Sequence, residues 1–236
     1  SKLLFKGDVF KEVSIKEIVA QIEAKQKCKL KLPTWFTTAA IYYPNKLNIE
    51  QTSSELTADY KSGLISGNSL IDITGGFGVD TYYFSKHFKR VTHCEKQSEL
   101  SAIAKHKFKV LKKDNIACIN DDGITYLKKN AKHYDWIFVD PSRRHQQKGK
   151  VVYLNDCEPN LVEHLDTLLD YANSIMVKVS PMLVISIGIA ELNYFKEIHC
   201  VAIHNELKEL LYIIEKNYNG PIKVKTVNIA QELQEF

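Results

Sequence analysis

The sequence predicts an α/β chain built on a doubly wound, mostly parallel sheet, and three observations carry that prediction. Short apolar runs rich in β-branched residues alternate with segments whose apolar residues recur at helical spacing. One run leads straight into a glycine turn: Ser69 to Asp80 reads S-L-I-D-I-T-G-G-F-G-V-D. Two later runs end in acids, Glu95 and Asp140, where ligand-binding side chains sit at the carboxyl ends of strands in such sheets.

Taken in order, residues 1–65 are expected as a small helical extension. Ser14 can cap a helix, with Glu17 three positions on as a capping box, and Ile15, Ile18, Val19 and Ile22 then recur at helical spacing. Lys25, Lys27, Lys29 and Lys31 alternate along the next stretch, and Pro33 is expected to stop any helix there. Trp35-Phe36 and Ile41-Tyr42-Tyr43-Pro44 are aromatic and punctuated by proline. Ser53 or Ser54 can cap a further helix to about Leu64, with Gly67 and Asn68 as the stop before the sheet.

The sheet begins at Leu70, Ile71 and Ile73, with Asp72 and Thr74 near the strand's carboxyl end. Gly75, Gly76 and Gly78 follow; glycine admits positive φ and leaves no side chain in a ligand's way. Val79 to Phe88 is the expected helix. A strand, a glycine turn and a helix N-terminus are expected to present free backbone N–H groups to a ligand. The spacing Gly-Gly-Phe-Gly differs from the G-x-G-x-x-G of a dinucleotide site. Asp72, three residues before the first glycine, can face a cationic amine.

Arg90 to Glu95 is the second expected strand. Its closing acid lies 23 residues past Asp72, where a carboxylate can accept both hydroxyls of a ribose. Gln97 to Lys113 is a helix by the stripe Leu100, Ile103, Ala104, Phe108 and Leu111; Lys105, Lys107, Lys109, Lys112 and Lys113 are expected on its solvated face. Ile116 to Asn120 is the third strand, closed by Asn120, Asp121 and Asp122, and Gly123 to Ala131 the next helix. Tyr134 to Pro141 is the fourth strand, ending in Asp140-Pro141. Ser142, Arg143 and Arg144 follow; two arginines there favour an anionic substrate. Gln146 to Pro159 is expected as a long polar loop with Tyr153 in its middle. Leu161 to Tyr171 is an amphipathic helix and Ser174 to Ser180 the fifth strand. Lys178 inside that apolar run is expected to reach polar partners at the strand end. Tyr194 to Ala202, Leu210 to Glu215 and the alternating Ile222 to Ile229 are further strands.

The bulk numbers fit one large α/β domain with an extension: 236 residues, 44% apolar and 25% charged. No apolar run approaches the roughly 20 residues that span a bilayer, and Ser1 to Lys6 has no apolar core of the signal-peptide kind, so no membrane is expected. Cys28, Cys94, Cys118, Cys157 and Cys200 are scattered without a C-x-x-C pair, which supports neither a disulfide framework nor a zinc site and fits a reducing cytoplasm. Cys94, Cys118 and Cys200 are expected as small buried hydrophobes. The eight histidines show no metal spacing, so no metal is expected. A net charge of +4 permits a nucleic-acid partner without requiring one.

The stretch Asp72 to Asp80 resembles the first motif of class I S-adenosylmethionine-dependent methyltransferases, D/E-x-G-x-G-x-G, with Thr74 and Gly75-Gly76 departing from the consensus. The wider block D-x-T-G-G-F-G-x-D is more similar to the RNA-modifying members. Asp140-Pro141-Ser142-Arg143 resembles the fourth motif, D/N-P-P-Y/F/W, with Ser142 for the second proline and Arg143 for the aromatic. The set as a whole resembles a bacterial group whose longer members continue into a THUMP-like, RNA-associated region, and distantly trimethylguanosine synthase.

This resemblance implies a Rossmann-like seven-stranded sheet with the last strand antiparallel. It divides the chain into a helical extension (1–65), a methyltransferase domain (66–218) and a C-terminal strand and tail (219–236) that opens a further region. It implies S-adenosylmethionine as cofactor and RNA, methylated on a base, as substrate. Gln51, Ser54, Thr57, Asp72, Thr74, Gly75, Gly76, Gly78, Asp80, Glu95, Asp121, Asp122 and Asp140 are the implied cofactor residues. Asp72 and the glycine turn take the methionine end, Glu95 the ribose, and Asp121, ahead of Asp122, the adenine amino group. Asp140, Pro141, Ser142 and Arg143 are the implied transfer residues, with Asp140 orienting the acceptor. Three other readings remain: a small-molecule methyltransferase, a non-catalytic protein that keeps the cofactor pocket, and an NAD-dependent oxidoreductase, which the glycine spacing disfavours.

Overall fold

The structure, a computed structural model, describes residues 13–143 and 153–229. The chain divides into two compact units. One comprises residues up to 66 with 75–122; the other comprises 67–74 with everything from 123 onward. The division falls between Thr74 and Gly75, inside the glycine-rich stretch.

The first unit opens on α1 (Ile15–Lys31), whose N-cap Ser14 accepts from the Glu17 N–H at 3.2 Å. The lysines that follow Ile22 lie within this helix. Helix α1 stops at Lys31, just before Pro33 as expected, and the proline then opens a new helix. It occupies the first turn of α2 (Pro33–Thr37), where its missing N–H costs nothing. Two further helices, α3 (Lys46–Gln51) and α4 (Glu55–Gly63), precede the sheet. After the glycine turn come α5 (Val79–Phe84), β2 (Phe88–Cys94), α6 (Ser98–Val110) and β3 (Ile116–Ile119), with β2 and β3 parallel. Helix α5 stops at Phe84 and Phe88 already belongs to β2, so the expected helix to Phe88 is corrected. The core of this unit packs Cys28, Leu32, Trp35 and Tyr43 of the extension against Phe77, Val79, Tyr83, Leu100 and Ile103. The Trp35 ring meets Tyr82 edge-on at 5.0 Å and stacks on Tyr83 at 6.4 Å. Buried Glu55 is satisfied by the Thr34 N–H and hydroxyl and by the Tyr83 hydroxyl, at 2.6, 2.7 and 2.8 Å.

The second unit contains β1 (Gly67–Asp72), α7 (Gly123–Asn130), β4 (Tyr134–Val139), β5 (Ser142–Arg143), β6 (Cys157–Glu158), α8 (Leu161–Leu169), β7 (Ala172–Val179), α9 (Ile185–Glu191), β8 (Phe195–Ile203), β9 (Glu206–Glu215) and β10 (Lys223–Ile229). Six of these strands run in the order β10-β8-β9-β7-β4-β1. Strands β1, β4 and β7 are mutually parallel, β9 is antiparallel to both neighbours, and β10 adds a strand parallel to β8. The strands that the sequence assigned to 194–202 and 210–215 are therefore present, the latter as the antiparallel one. Ile175, Met176 and Val177 of β7 and Ile137 and Phe138 of β4 are fully buried, as a strand covered on both faces requires. The Asp135 carboxylate accepts from the Asn68 and Ser69 N–H groups at 2.6 and 3.0 Å, pinning the start of β1 to β4.

Two expectations are corrected here. The loop expected up to Pro159 carries a 3₁₀ turn (Leu154–Asp156) and β6, which pairs antiparallel with β5. Helix α9 lies where no element was expected; its I-S-I-G-I start alternates like a strand. Gly188 allows that helix to touch Tyr212, since a Cβ there would lie 2.6 Å from the Tyr212 hydroxyl. Cys94 is buried as expected, but Cys118 and Cys200 are half-buried.

Candidate active site

In the second unit the ends of three parallel strands are linked side chain to backbone. Asp72 closes β1 and is 1% exposed. Its Oδ1 accepts the Thr74 N–H at 3.0 Å, with the Thr74 hydroxyl 3.4 Å away. The Thr74 Oγ1 in turn accepts the Asp140 N–H at 2.7 Å, just past β4. The Asp140 Oδ2 forms an ion pair with Lys178 Nζ, from β7, at 2.5 Å. Asp140 is 32% exposed and Lys178 13%, so this pair stands at the rim rather than in the core. Thr74 was a departure from the motif's consensus; here its hydroxyl makes a link that a glycine could not. Lys178 was expected to find polar partners at the strand end, and its partner is the expected transfer acid itself. Pro141 is half-buried and Ser142 exposed in β5. Arg143 is placed by its backbone alone, paired with Cys157, and Arg144 lies outside the described residues.

In the first unit the glycine turn is closed on itself. Gly76 and Gly78 have φ of 53° and 74°, a region that favours glycine. The Gly75 N–H donates to the Cys94 carbonyl at 2.8 Å, the Gly76 N–H to Glu95 Oε2 at 2.9 Å, and the Gly78 N–H to the Gly75 carbonyl at 2.8 Å. The expectation of free N–H groups is thus corrected for these three glycines. Glu95 is buried, and its second oxygen accepts the Gln97 N–H at 2.7 Å. The carboxylate is therefore fixed in orientation at the end of β2 and lays negative charge on the turn.

Beneath the turn lie two residues that the sequence did not single out correctly. His93 is fully buried, with Nε2 3.3 Å from the Gly76 carbonyl and its ring edge-on to Phe108 at 5.4 Å. Burial first, and the nearby charge of Lys107 second, push its pKa down to about 4, so the ring is neutral. Lys107, expected on a solvated face, is 0% exposed; its ammonium donates to the Phe77 carbonyl and lies over the rings of Phe77 and Phe108 at 4.3 and 4.4 Å. The signal was present in the sequence. Position 107 is four residues past Ile103 and three past Ala104, in phase with the apolar stripe.

The remaining candidates of this unit divide. Asp121 is half-buried and accepts from the Asp122 N–H at 2.9 Å, while Asp122 is exposed. The neighbouring Asn120 side chain donates to the Glu95 carbonyl at 2.9 Å, which ties this strand end to that of β2. Asp80 is buried in an ion pair with Lys61 at 3.1 Å and accepts from the Ser53 hydroxyl at 2.7 Å. Ser54 caps α4 by accepting from the Thr57 N–H at 3.2 Å, and the buried Thr57 hydroxyl turns back to Ser54. Gln51 ends α3, exposed. Among the described residues no helix is long and apolar enough to cross a membrane, and no group of three or more His, Cys, Asp or Glu side chains could hold a metal ion.

No protein-family model matches the chain. A crystal structure from Porphyromonas gingivalis W83, of a protein provisionally named a methyltransferase, is similar at 31% identity with a TM-score of 0.86; the match covers 98% of this chain and 58% of that one. The crystal structure of a protein from Agrobacterium tumefaciens named a predicted O-methyltransferase is 14% identical with a TM-score of 0.51, covering 76% of this chain and 90% of that one. A Mycoplasma mobile protein named an uncharacterized RNA methyltransferase is 26% identical over 97 residues, 41% of this chain and 27% of that protein. The chain thus spans little more than half of the Porphyromonas protein and about a quarter of the Mycoplasma one. Together with the strand order and the antiparallel β9, these likenesses identify the chain's fold as the Rossmann-like methyltransferase fold.

Proposed function

We propose that the chain is the catalytic part of an S-adenosylmethionine-dependent methyltransferase that acts on RNA. The observation that carries the cofactor choice is the closed glycine turn. A dinucleotide's pyrophosphate needs free N–H groups at such a turn. Here the Gly75, Gly76 and Gly78 N–H groups are taken within the chain, and the Gly76 partner is the Glu95 carboxylate, which repels phosphate. The motif resemblance assigns the acids to a cationic nucleoside instead, each as a hydrogen-bond acceptor: Asp72 for an α-ammonium group, Glu95 for a ribose diol and Asp121 for an adenine amino group.

When bound, S-adenosylmethionine supplies an electrophilic methyl group on a sulfonium, which becomes a thioether as the acceptor's lone pair takes the methyl carbon. Asp140 orients the acceptor through a hydrogen bond, and the acceptor's proton leaves to that carboxylate or to water. Positioning supplies most of the acceleration when the nucleophile is held in line. Asp72 and Asp140 are linked through Thr74, so the acids for the cofactor's amine and for the acceptor are set by one chain of hydrogen bonds. RNA as substrate is supported by the Mycoplasma relative's name, by Arg143 and Arg144 following Asp140, and by the motif resemblance to RNA-modifying members. A base is the proposed target, and the THUMP-like kinship remains part of this reading. Asp80, Ser54 and Thr57 have internal partners that account for them without a ligand.

The test is a pair of variants. Asp72→Ala is expected to abolish binding of S-adenosylhomocysteine. Asp140→Ala is expected to keep that binding and to lose methyl transfer to unmodified RNA transcribed in vitro. Full transfer by Asp140→Ala would remove it from the transfer site.

A further inference from the structure

We propose that Lys178 is a positioning residue of the transfer site that sets its preference for an uncharged acceptor; this rests on the cofactor reading above. Asp140 is held at two points. Its backbone N–H is bonded to the Thr74 hydroxyl at 2.7 Å, and its Oδ2 is held by Lys178 Nζ at 2.5 Å. The clamp fixes the carboxylate plane and leaves Oδ1 as the oxygen for an acceptor hydrogen bond. The lysine comes from β7, two strands from β1, where its neighbours Met176, Val177 and Val179 are buried and hold the backbone in place.

The charge of Lys178 matters as much as its grip. A lone carboxylate beside the methyl position would favour a protonated amine, whose lone pair is unavailable and which cannot take a methyl group. An ammonium 2.5 Å from that carboxylate offsets its charge. A neutral ring nitrogen, exocyclic base amine or hydroxyl then becomes the better guest, and each of these keeps a lone pair for the sulfonium carbon. The rim pair is partly exposed, so its effect is moderated by solvent but not erased.

The test needs no RNA. Sinefungin is a cofactor analogue in which a carbon bearing a protonated amino group replaces the methylsulfonium, so it places a cation where the methyl would be. S-adenosylhomocysteine has no charge there. The readout is the ratio of the two affinities by calorimetric titration. Lys178→Met is expected to raise the preference for sinefungin over S-adenosylhomocysteine by roughly tenfold or more, with S-adenosylhomocysteine affinity itself unchanged. In Asp140→Asn, which removes the carboxylate that draws the cation, the ratio is expected to move the opposite way, toward S-adenosylhomocysteine. An unchanged ratio in Lys178→Met, or a shift toward sinefungin in Asp140→Asn, would overturn the proposal. Failure of the parent chain to bind S-adenosylhomocysteine is a separate outcome; it would remove the cofactor reading and this inference with it.

Discussion

His93 shows how one buried side chain makes the glycine turn specific. Its ring fills the space where a Cβ on Gly75 would come within 2.4 Å of Nε2, and where one on Gly78 would come within 3.2 Å. Gly75 is therefore required by what lies below it, and Gly78 by that and by its φ of 74°. The same packing has a pH consequence. His93 titrates at about 4 in the fold against 6.5 when exposed. Above pH 6.5 it is neutral in both states and contributes no pH dependence. As pH falls from 6.5 to 4, the unfolded chain gains a proton that the folded chain refuses. Folded stability is expected to drop by up to about 3 kcal/mol across that window. Urea unfolding at a series of pH values measures this, and His93→Gln should flatten the slope between pH 6.5 and 4. An unaltered slope in that variant would assign the acid sensitivity to other groups.

At the scale of elements, helices α4 and α5 are joined by a buried polar cluster. Lys61 of α4 pairs with Asp80 of α5, and Ser53, just before α4, hydrogen-bonds to both, donating to Asp80 at 2.7 Å and accepting from Lys61 at 3.1 Å. Removing one member strands a buried charge. Asp80→Ala is expected to lower unfolding stability by about 3–5 kcal/mol. Chemical denaturation of the variant checks this; a change under about 1 kcal/mol would return Asp80 to the list of ligand residues. The cluster also shows what the sequence could and could not tell. Asp80 stood in a motif and was assigned to the cofactor by resemblance, while its partner Lys61 was not singled out in the sequence at all. Lys61 and Lys107 were both in phase with buried neighbours, so helical period carried the signal, but charge argued for solvent and the charge was answered by tertiary partners. Helix α9 escaped because its alternating apolar residues mimic a strand, and only packing against β9 decides between the two. The strands β1, β4 and β7 were legible from short apolar runs, Leu70-Ile71, Trp136 to Val139 and Ile175 to Val177, which a strand covered on both faces demands.

At the scale of the whole molecule, the mostly parallel sheet and the acids Asp72, Glu95 and Asp140 at strand ends were readable in advance, while the order of the strands was not. The link Asp72–Thr74–Asp140–Lys178 was not, because it joins residues up to 106 positions apart and depends on the register of three strands. Register is set by pairing such as Asp72 opposite Phe138 and Phe138 opposite Met176, which no local pattern reveals. The central claim is that this fold holds S-adenosylmethionine and not a dinucleotide. Calorimetric titration of the chain with S-adenosylhomocysteine, with NAD run alongside, tests it most directly. The account predicts binding of S-adenosylhomocysteine at micromolar Kd, about −8 kcal/mol, and no heat from NAD. Binding of NAD, or no binding of S-adenosylhomocysteine, would contradict it.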